Sequence, residues 1–248
     1  RIMYKFELPL NERTKRIISI EEIFTRFDNQ ISLMGPSSEF TCFALFFNIC
    51  TVASRSDIKI EITQELNKLI AKKTLIKKTK KNSDQINKLI TTRKVLLKAN
   101  IPQGSFFGDD QFLQEIRTAS LTPTGIVGID LPQLQQWFQK FNAKNKKNYF
   151  KEKIAPYRPI FTAITDYLTI LRDSITLKNM STNDDGLLSY PLNTLHKNDL
   201  VQIQIPNKFN VYPNLTSNKY MINVQFNSFT RKVKVKKAMQ FKLGISQQ

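Results

Sequence analysis

Histidine, cysteine, glycine and negative charge are all scarce in this chain. Its 248 residues hold one His, two Cys and seven Gly, and 20 Asp+Glu stand against 38 Lys+Arg, a difference of +18. The single histidine, His196, has no cysteine cluster beside it and makes no ordinary zinc site. Neither G-x-x-x-x-G-K-[ST] nor G-x-G-x-x-G occurs, which excludes the common phosphate-cradling loops. No serine carries the flanking glycines of a nucleophile elbow. The pairs Asp109-Asp110 and Asp184-Asp185 read as helix caps or loops rather than as acid–base dyads. No run approaches the roughly 20 apolar residues of a membrane span. Arg1 to Leu10 alternate without a long apolar run or a small-residue cleavage site, so no secretory leader is expected there, and Met3 is a candidate natural start. These absences point to a binding protein, leave an enzyme possible but unsupported, and give no reason to expect a cofactor or a metal.

Cys42 and Cys50 share one helical pattern. At about 1.5 Å rise per residue they stand roughly 12 Å apart, too far for a disulfide. They read as reduced, buried thiols of a cytosolic protein.

What the chain does have is a core. It is 41% hydrophobic with 18 Phe, and its length allows one large domain or two small ones. Tyr4-Lys5-Phe6-Glu7-Leu8 alternates as a half-buried strand that Pro9 stops. Asn11 can cap a helix striped by Ile17, Ile20, Phe24, Phe27 and Ile31. After Gly35-Pro36, Ser37 or Ser38 opens a helix with Phe40, Phe43, Phe47 and Cys50 inward. Asp57 opens a third, with Ile58, Ile62, Leu66 and Leu69 inward. Ser83 or Asp84 opens a fourth, with Ile86, Leu89, Ile90 and Leu97 inward. The last two form an αα-hairpin whose tip, Lys77 to Asn82, is basic and reads foremost as a solvated turn.

Asp109 or Asp110 caps a helix carrying Phe112, Leu113 and Ile116. Gly125 to Leu131 reads as a short buried strand. Asp130 caps the helix that follows from Pro132, where Leu134, Trp137, Phe138 and Phe141 pack between the helical body and that strand. Lys144 to Asn148 reads as a basic connector. A helix with Ile160, Ile164, Leu168, Leu171 and Ile175 follows Pro159. From Gly186 the period falls to two, in Val201–Ile205, Met221–Phe226 and Lys232–Lys236, with Pro206 and Pro213 at turns or strand ends. The expected class is α+β: a mainly helical domain over 10–180 with a short central strand near 125–131, then an antiparallel β domain over 181–248 joined by a strand at 3–9.

A net charge of +18 asks for an anionic partner. A Lys-, Asn-, Ile- and Thr-rich composition also fits an AT-rich genome, which would spread lysines without focusing them. The alternating lysines of 232–236 could track a phosphate backbone, so nucleic acid is the alternative partner. No RRM-type strand motif or zinc-finger spacing supports it.

Three stretches decide between these readings. They are Phe6-Glu7-Leu8-Pro9-Leu10-Asn11-Glu12, Ile129-Asp130-Leu131-Pro132-Gln133-Leu134-Gln135-Gln136-Trp137 and Tyr212-Pro213-Asn214-Leu215-Thr216-Ser217-Asn218-Lys219. In order and at matching separations they resemble the ZapD family of cell-division proteins. The resemblance implies a cytoplasmic homodimer at the division septum. It also implies that the protein binds the C-terminal tail of FtsZ, bundles its filaments and has no enzymatic activity. It places the N-terminal strand beside the C-terminal strands. Of the family's basic positions toward the tail, Arg55 keeps its charge, whereas Ser19, Gln111, Met221 and Gln225 do not. Lys59, Arg117 and Lys219 are basic nearby. The tail site is therefore expected at Arg55, Lys59, Arg117 and Lys219, with Arg231 and Lys232 adding field from the β domain.

Overall fold

The computed structural model describes residues 3–35, 38–76, 79–102, 110–126, 129–193, 198–230 and 233–247. Their elements run β1 (Met3–Pro9), α1 (Glu12–Ser32), α2 (Ser38–Ala53), α3 (Ser56–Leu75), α4 (Lys80–Lys98), α5 (Gln111–Ser120), α6 (Pro132–Lys140), α7 (Ala143–Ile154) and α8 (Arg158–Asp173). The strands β2 (Lys178–Ser181), β3 (Leu187–Pro191), β4 (Asn198–Pro206), β5 (Val211–Ser217), β6 (Met221–Ser228) and β7 (Gln240–Gln247) follow. This is the expected α+β class. No described helix is long and apolar enough to cross a membrane. The chain divides into two compact units, 17–167 and 1–16 with 168–248.

In the unit of residues 17–167, the α1 stripe of Ile17, Ile20, Phe24, Phe27 and Ile31 is buried as its spacing predicts. α2 is enclosed on more sides than one apolar face requires. Cys42, Phe43, Phe46, Phe47, Ile49, Cys50 and Ala53 are all buried, leaving a narrow exposed stripe of Thr41, Ala44, Asn48 and Thr51. Phe43 touches the rings of Phe47, Phe112, Trp137 and Phe150. Burial of each such side chain contributes about 1.5–3 kcal/mol, which makes α2 the axis of this unit's core.

Several sequence expectations need correction here. α4 starts earlier than Ser83, capped by Thr79, whose side chain accepts from the Asn82 N–H. Its inward face is Asn82, Leu89, Thr92 and Leu96, while Ile90 and Leu97 are exposed. Thr92 and Lys88 both bond the buried Asp166 carboxylate, and this polar anchor rotates the helix away from its aliphatic stripe. The described part of 125–131 is turn and bend, with Ile129 exposed, so it forms no strand. Gly125 stands at φ +69° and closes a turn onto Thr122. Trp137 therefore packs not on a strand but in the aromatic cluster of helices, against Phe112, Tyr149 and Phe150. Leu131 rather than Asp130 is the N-cap of α6 and supplies no side-chain bond; Pro132 at its start has no N–H to satisfy. Lys144–Asn148 is not a connector but the start of α7, capped by the Asn142 side chain on the Asn145 N–H. Ser37 and Asp109 lie outside the described residues; Asp110 caps α5 through the Leu113 N–H.

In the unit of residues 1–16 and 168–248, two antiparallel sheets are present among the described residues, ordered β1-β4-β7-β2 and β3-β6-β5. β1 pairs along β4, Tyr4 opposite Ile205 and Leu8 opposite Val201, so the N-terminal strand does lie beside C-terminal ones. Val201, Ile203 and Ile205 of β4 join Ile222, Val224, Phe226, Phe241 and Leu243 in one core. Phe226 and Phe241 meet edge to face at 5.0 Å and tie the two sheets together. Arg172 donates to both carboxylate oxygens of Glu7 at 2.9 and 3.1 Å, and Gln202 adds a third donor at 2.9 Å. Asn11 caps α1 through the Thr14 N–H at 2.8 Å and donates to the buried Asp199 at 2.7 Å. Pro213 lies inside β5, opposite Phe226, and not at a strand end. It is tolerated because β5 is an edge strand. The expected strand 232–236 is also corrected: its described residues make one isolated bridge, Lys234 to Asn227, and Val233 is exposed. The alternation there lacks a continuous partner strand.

Cys42 and Cys50 are free thiols in the buried face of α2. Burial pushes the Cys42 thiol from an ordinary 9.0 up to about 12, with the Glu39 charge adding to it. Burial likewise pushes Cys50 up to about 11, partly offset by a hydrogen bond with Tyr157. A folded value above the unfolded one means the folded state holds its proton longer. The stability this contributes is intact below about pH 9 and is lost as pH rises through 9 toward 11–12. Melting scans across alkaline pH are expected to show a fall above about pH 9 that is smaller in a Cys42→Ala/Cys50→Ala variant. Equal falls would remove the thiols as its cause.

Candidate functional site

Of the paired aspartates, Asp110 proves to be a cap and Asp184 and Asp185 a loop, as their sequence context suggests. Asp110 caps α5 and is paired with Lys153 at 2.6 Å. Asp184 and Asp185 lie exposed in the turn that Asn183 closes onto Gly186 and Leu187. No cluster of three or more His, Cys, Asp and Glu occurs among the described residues, and His196 lies outside them. The candidate surface is therefore built from the basic residues.

Arg55 is the N-cap of α3, in the short corner after α2. Its guanidinium forks onto Asp57, Nε to Oδ1 at 3.2 Å and Nη2 to Oδ2 at 3.0 Å. That hydrogen-bonded carboxylate strengthens its hold on the proton. The side chain remains 59% exposed, and two bonds leave part of the five-donor fork for an incoming acid.

Lys59, in the first turn of α3, donates to the Leu97 and Ala99 carbonyls at 3.0 and 2.8 Å. A cation there satisfies the orphan carbonyls ending α4. Arg117, in the last turn of α5, donates to Thr51 at 3.2 Å and lies over the Phe47 ring at 5.3 Å. Thr51 is in the last turn of α2, so Arg117, Arg55 and Lys59 gather about the α2–α3 corner.

Lys219 belongs to the other unit. It sits exposed in the β5–β6 turn, 5.7 Å from the Tyr220 ring centre. Asn218 accepts from the Tyr220 and Met221 N–H groups and shapes that turn. Arg231 and Lys232 lie outside the described residues. Of the uncharged positions, Gln111 bonds Glu115, and Gln225 donates to the Gly186 and Val235 carbonyls.

Among the charged pairs that sequence reading missed, one is buried. Lys146 of α7 bonds Glu39 of α2 at 2.7 Å, with side chains only 11% and 6% exposed. The ammonium also lies 5.4 Å from the Trp137 ring centre and 5.2 Å from that of Phe138. The available signal was the spacing of Lys146, Phe150 and Ile154, one face of a helix opened by Asn142.

A family model described as ZapD, a cell division protein, matches residues 18–225. That span includes Arg55, Lys59, Arg117 and Lys219. The chain is 26% identical over 229 residues to a "Cell division protein ZapD" of Nitrosomonas europaea, covering 89% of this chain and 85% of the relative. Proteins of the same name from an Azoarcus species and a Janthinobacterium species are each 24% identical, over 90% and 91% of both chains respectively. This chain belongs to the ZapD family of cell division proteins.

Proposed function

We propose that the protein is a non-enzymatic cytoplasmic division factor that binds the acidic C-terminal tail of FtsZ. As a homodimer it cross-links FtsZ filaments into bundles at the septum. The observation that carries this reading is the exposed Arg55 fork at the α2–α3 corner, flanked by Arg117 and Lys59, within the span matched by a cell-division family. On a chain of +18, such a corner attracts and orients an acidic peptide. Two copies of a weak site gain avidity on a polymer that repeats the tail along its length. Nucleic acid gains no second support, because the lysine alternation at 232–236 forms no continuous strand among the described residues.

The direct test is low-speed co-sedimentation with FtsZ. Full-length FtsZ is expected to pellet with the protein, and FtsZ lacking its tail is not. Equal pelleting of both would overturn tail binding. Arg55→Glu and Lys219→Glu are tested singly, since the two residues stand on separate units. Each is expected to weaken FtsZ binding by about tenfold, as for a charge reversal at an interface, with circular dichroism and light scattering unchanged. Undiminished binding by either variant would remove that residue from tail recognition.

A further inference from the structure

A second cleft in the helical unit shares no residue with the basic corner. About 470 Å³ in volume, it is lined by Met34 and Gly35 after α1, Glu39 and Phe40 opening α2, Phe138 and Phe141 at the end of α6, and Asn142, Ala143 and Lys146 opening α7. Its walls are rings: Phe40 and Phe138 meet edge to face at 5.1 Å, and both, like Phe141, are only partly buried. Its charged floor is internally neutralised, because Lys146 and Glu39 are bonded to each other.

The rim is positive. Lys140 holds its ammonium 5.8 Å from the Phe141 ring centre. Lys147 reaches the Ser32 carbonyl at the end of α1, and Lys144 is exposed in the first turn of α7.

We propose that this cleft docks one aromatic side chain carried on an acidic peptide segment. Three observations select that occupant. A ring-walled pocket could cage a cation, but the ammonium of Lys146 already lies over Phe138, and a second positive charge beside it and the neighbouring lysines would be repelled. A stacked nucleobase is best served by ring faces clear of other groups, and Phe138 and Phe141 each carry a lysine over one face. The Phe40 ring and the neutralised Lys146–Glu39 floor suit an inserted side chain, while the surrounding lysines suit acidic residues on either side of it. An apolar centre within a charged border is the usual anatomy of a protein-recognition site. The inference stands whether or not FtsZ is the partner.

Trp137, the single tryptophan of the chain, adjoins Phe138 and Lys146 and serves as the reporter. The full chain is titrated with a short synthetic peptide of aspartates and glutamates around one phenylalanine, with indole emission followed. A saturable change is expected, weakened at least about tenfold when the peptide's phenylalanine is replaced by alanine, the size of loss typical of a buried anchor. Ala143 is exposed on the cleft wall, so Ala143→Phe should fill the cleft and abolish the response without disturbing the core. Phe141→Ala is the second variant, expected to weaken binding if Ala143→Phe alters the circular dichroism. Equal binding of the phenylalanine and alanine peptides, or undiminished binding by both folded variants, would overturn the proposal. Displacement of the peptide by oligothymidylate at about 150 mM salt, where loose phosphate contacts fade, would overturn it in favour of nucleic acid.

Discussion

Replacing Glu39 by leucine is expected to cost about 3–5 kcal/mol of stability, because it leaves a buried ammonium without its counter-charge. Lys146 is only 11% exposed on its side chain, and the rings of Trp137 and Phe138 lie beside its ammonium. Cation–π attraction supplies about 0.5–2 kcal/mol, too little to replace a bonded carboxylate. The double variant Glu39→Leu/Lys146→Met removes both charges and keeps the volume apolar. It is expected to recover most of that loss, since a buried pair stabilises little relative to a packed apolar one. Urea unfolding of the two singles and the double closes the cycle. A Glu39→Leu cost below about 1 kcal/mol, the scale of an exposed pair, would mean that the ammonium reaches water.

Gly186→Ala should be nearly as damaging, by about 3 kcal/mol or more, a size that a backbone clash added to left-handed strain accounts for. Gly186 has φ +75°, where an L side chain is strained by about 1–2 kcal/mol. A Cβ there would also fall 1.7 Å from the Val235 carbonyl oxygen, a backbone atom that cannot rotate aside. The same spot is pinned by Gln225, which donates to the carbonyls of both Gly186 and Val235. Gly125 is the control. Its φ of +69° is similar, but a Cβ would meet nothing within 4 Å, so Gly125→Ala is expected to cost only the conformational part. Denaturant midpoints for the two variants test the difference, and equal losses would show that the Val235 contact yields.

Local signals in the sequence proved reliable where one element contained the whole reason for its shape. The α1 stripe and its Asn11 cap are of this kind, since cap and face lie within a few residues of each other. Long-range partners decided the failures. The buried face of α4 follows Asp166, far along the chain, rather than the aliphatic Ile90 and Leu97. Ile126, Ile129 and Leu131 belong to a stretch of strand composition but, as described residues, join no ladder. Lysines and asparagines at the start of α7 look like linker, and only the Glu39 partner explains why one of them is buried. At the candidate site, the residue types were legible while their engagements were not. Asp57 is near Arg55 in sequence, whereas the carbonyls that Lys59 holds lie at the end of another helix.

Strand order also bears on how the molecule is made. β7, Gln240–Gln247, is not a border strand: it hydrogen-bonds to β4 on one side and to β2 on the other. The ribosome delivers this stretch after every other strand of its sheet, so β2 and β4 wait without their shared neighbour while translation proceeds. The helices over residues 17–167, by contrast, have all their mutual contacts already synthesised. A premature stop before Gln240 would remove the middle of a sheet rather than a fringe, leaving β2 without a partner and β4 paired only to β1, with one edge open for proteases to find.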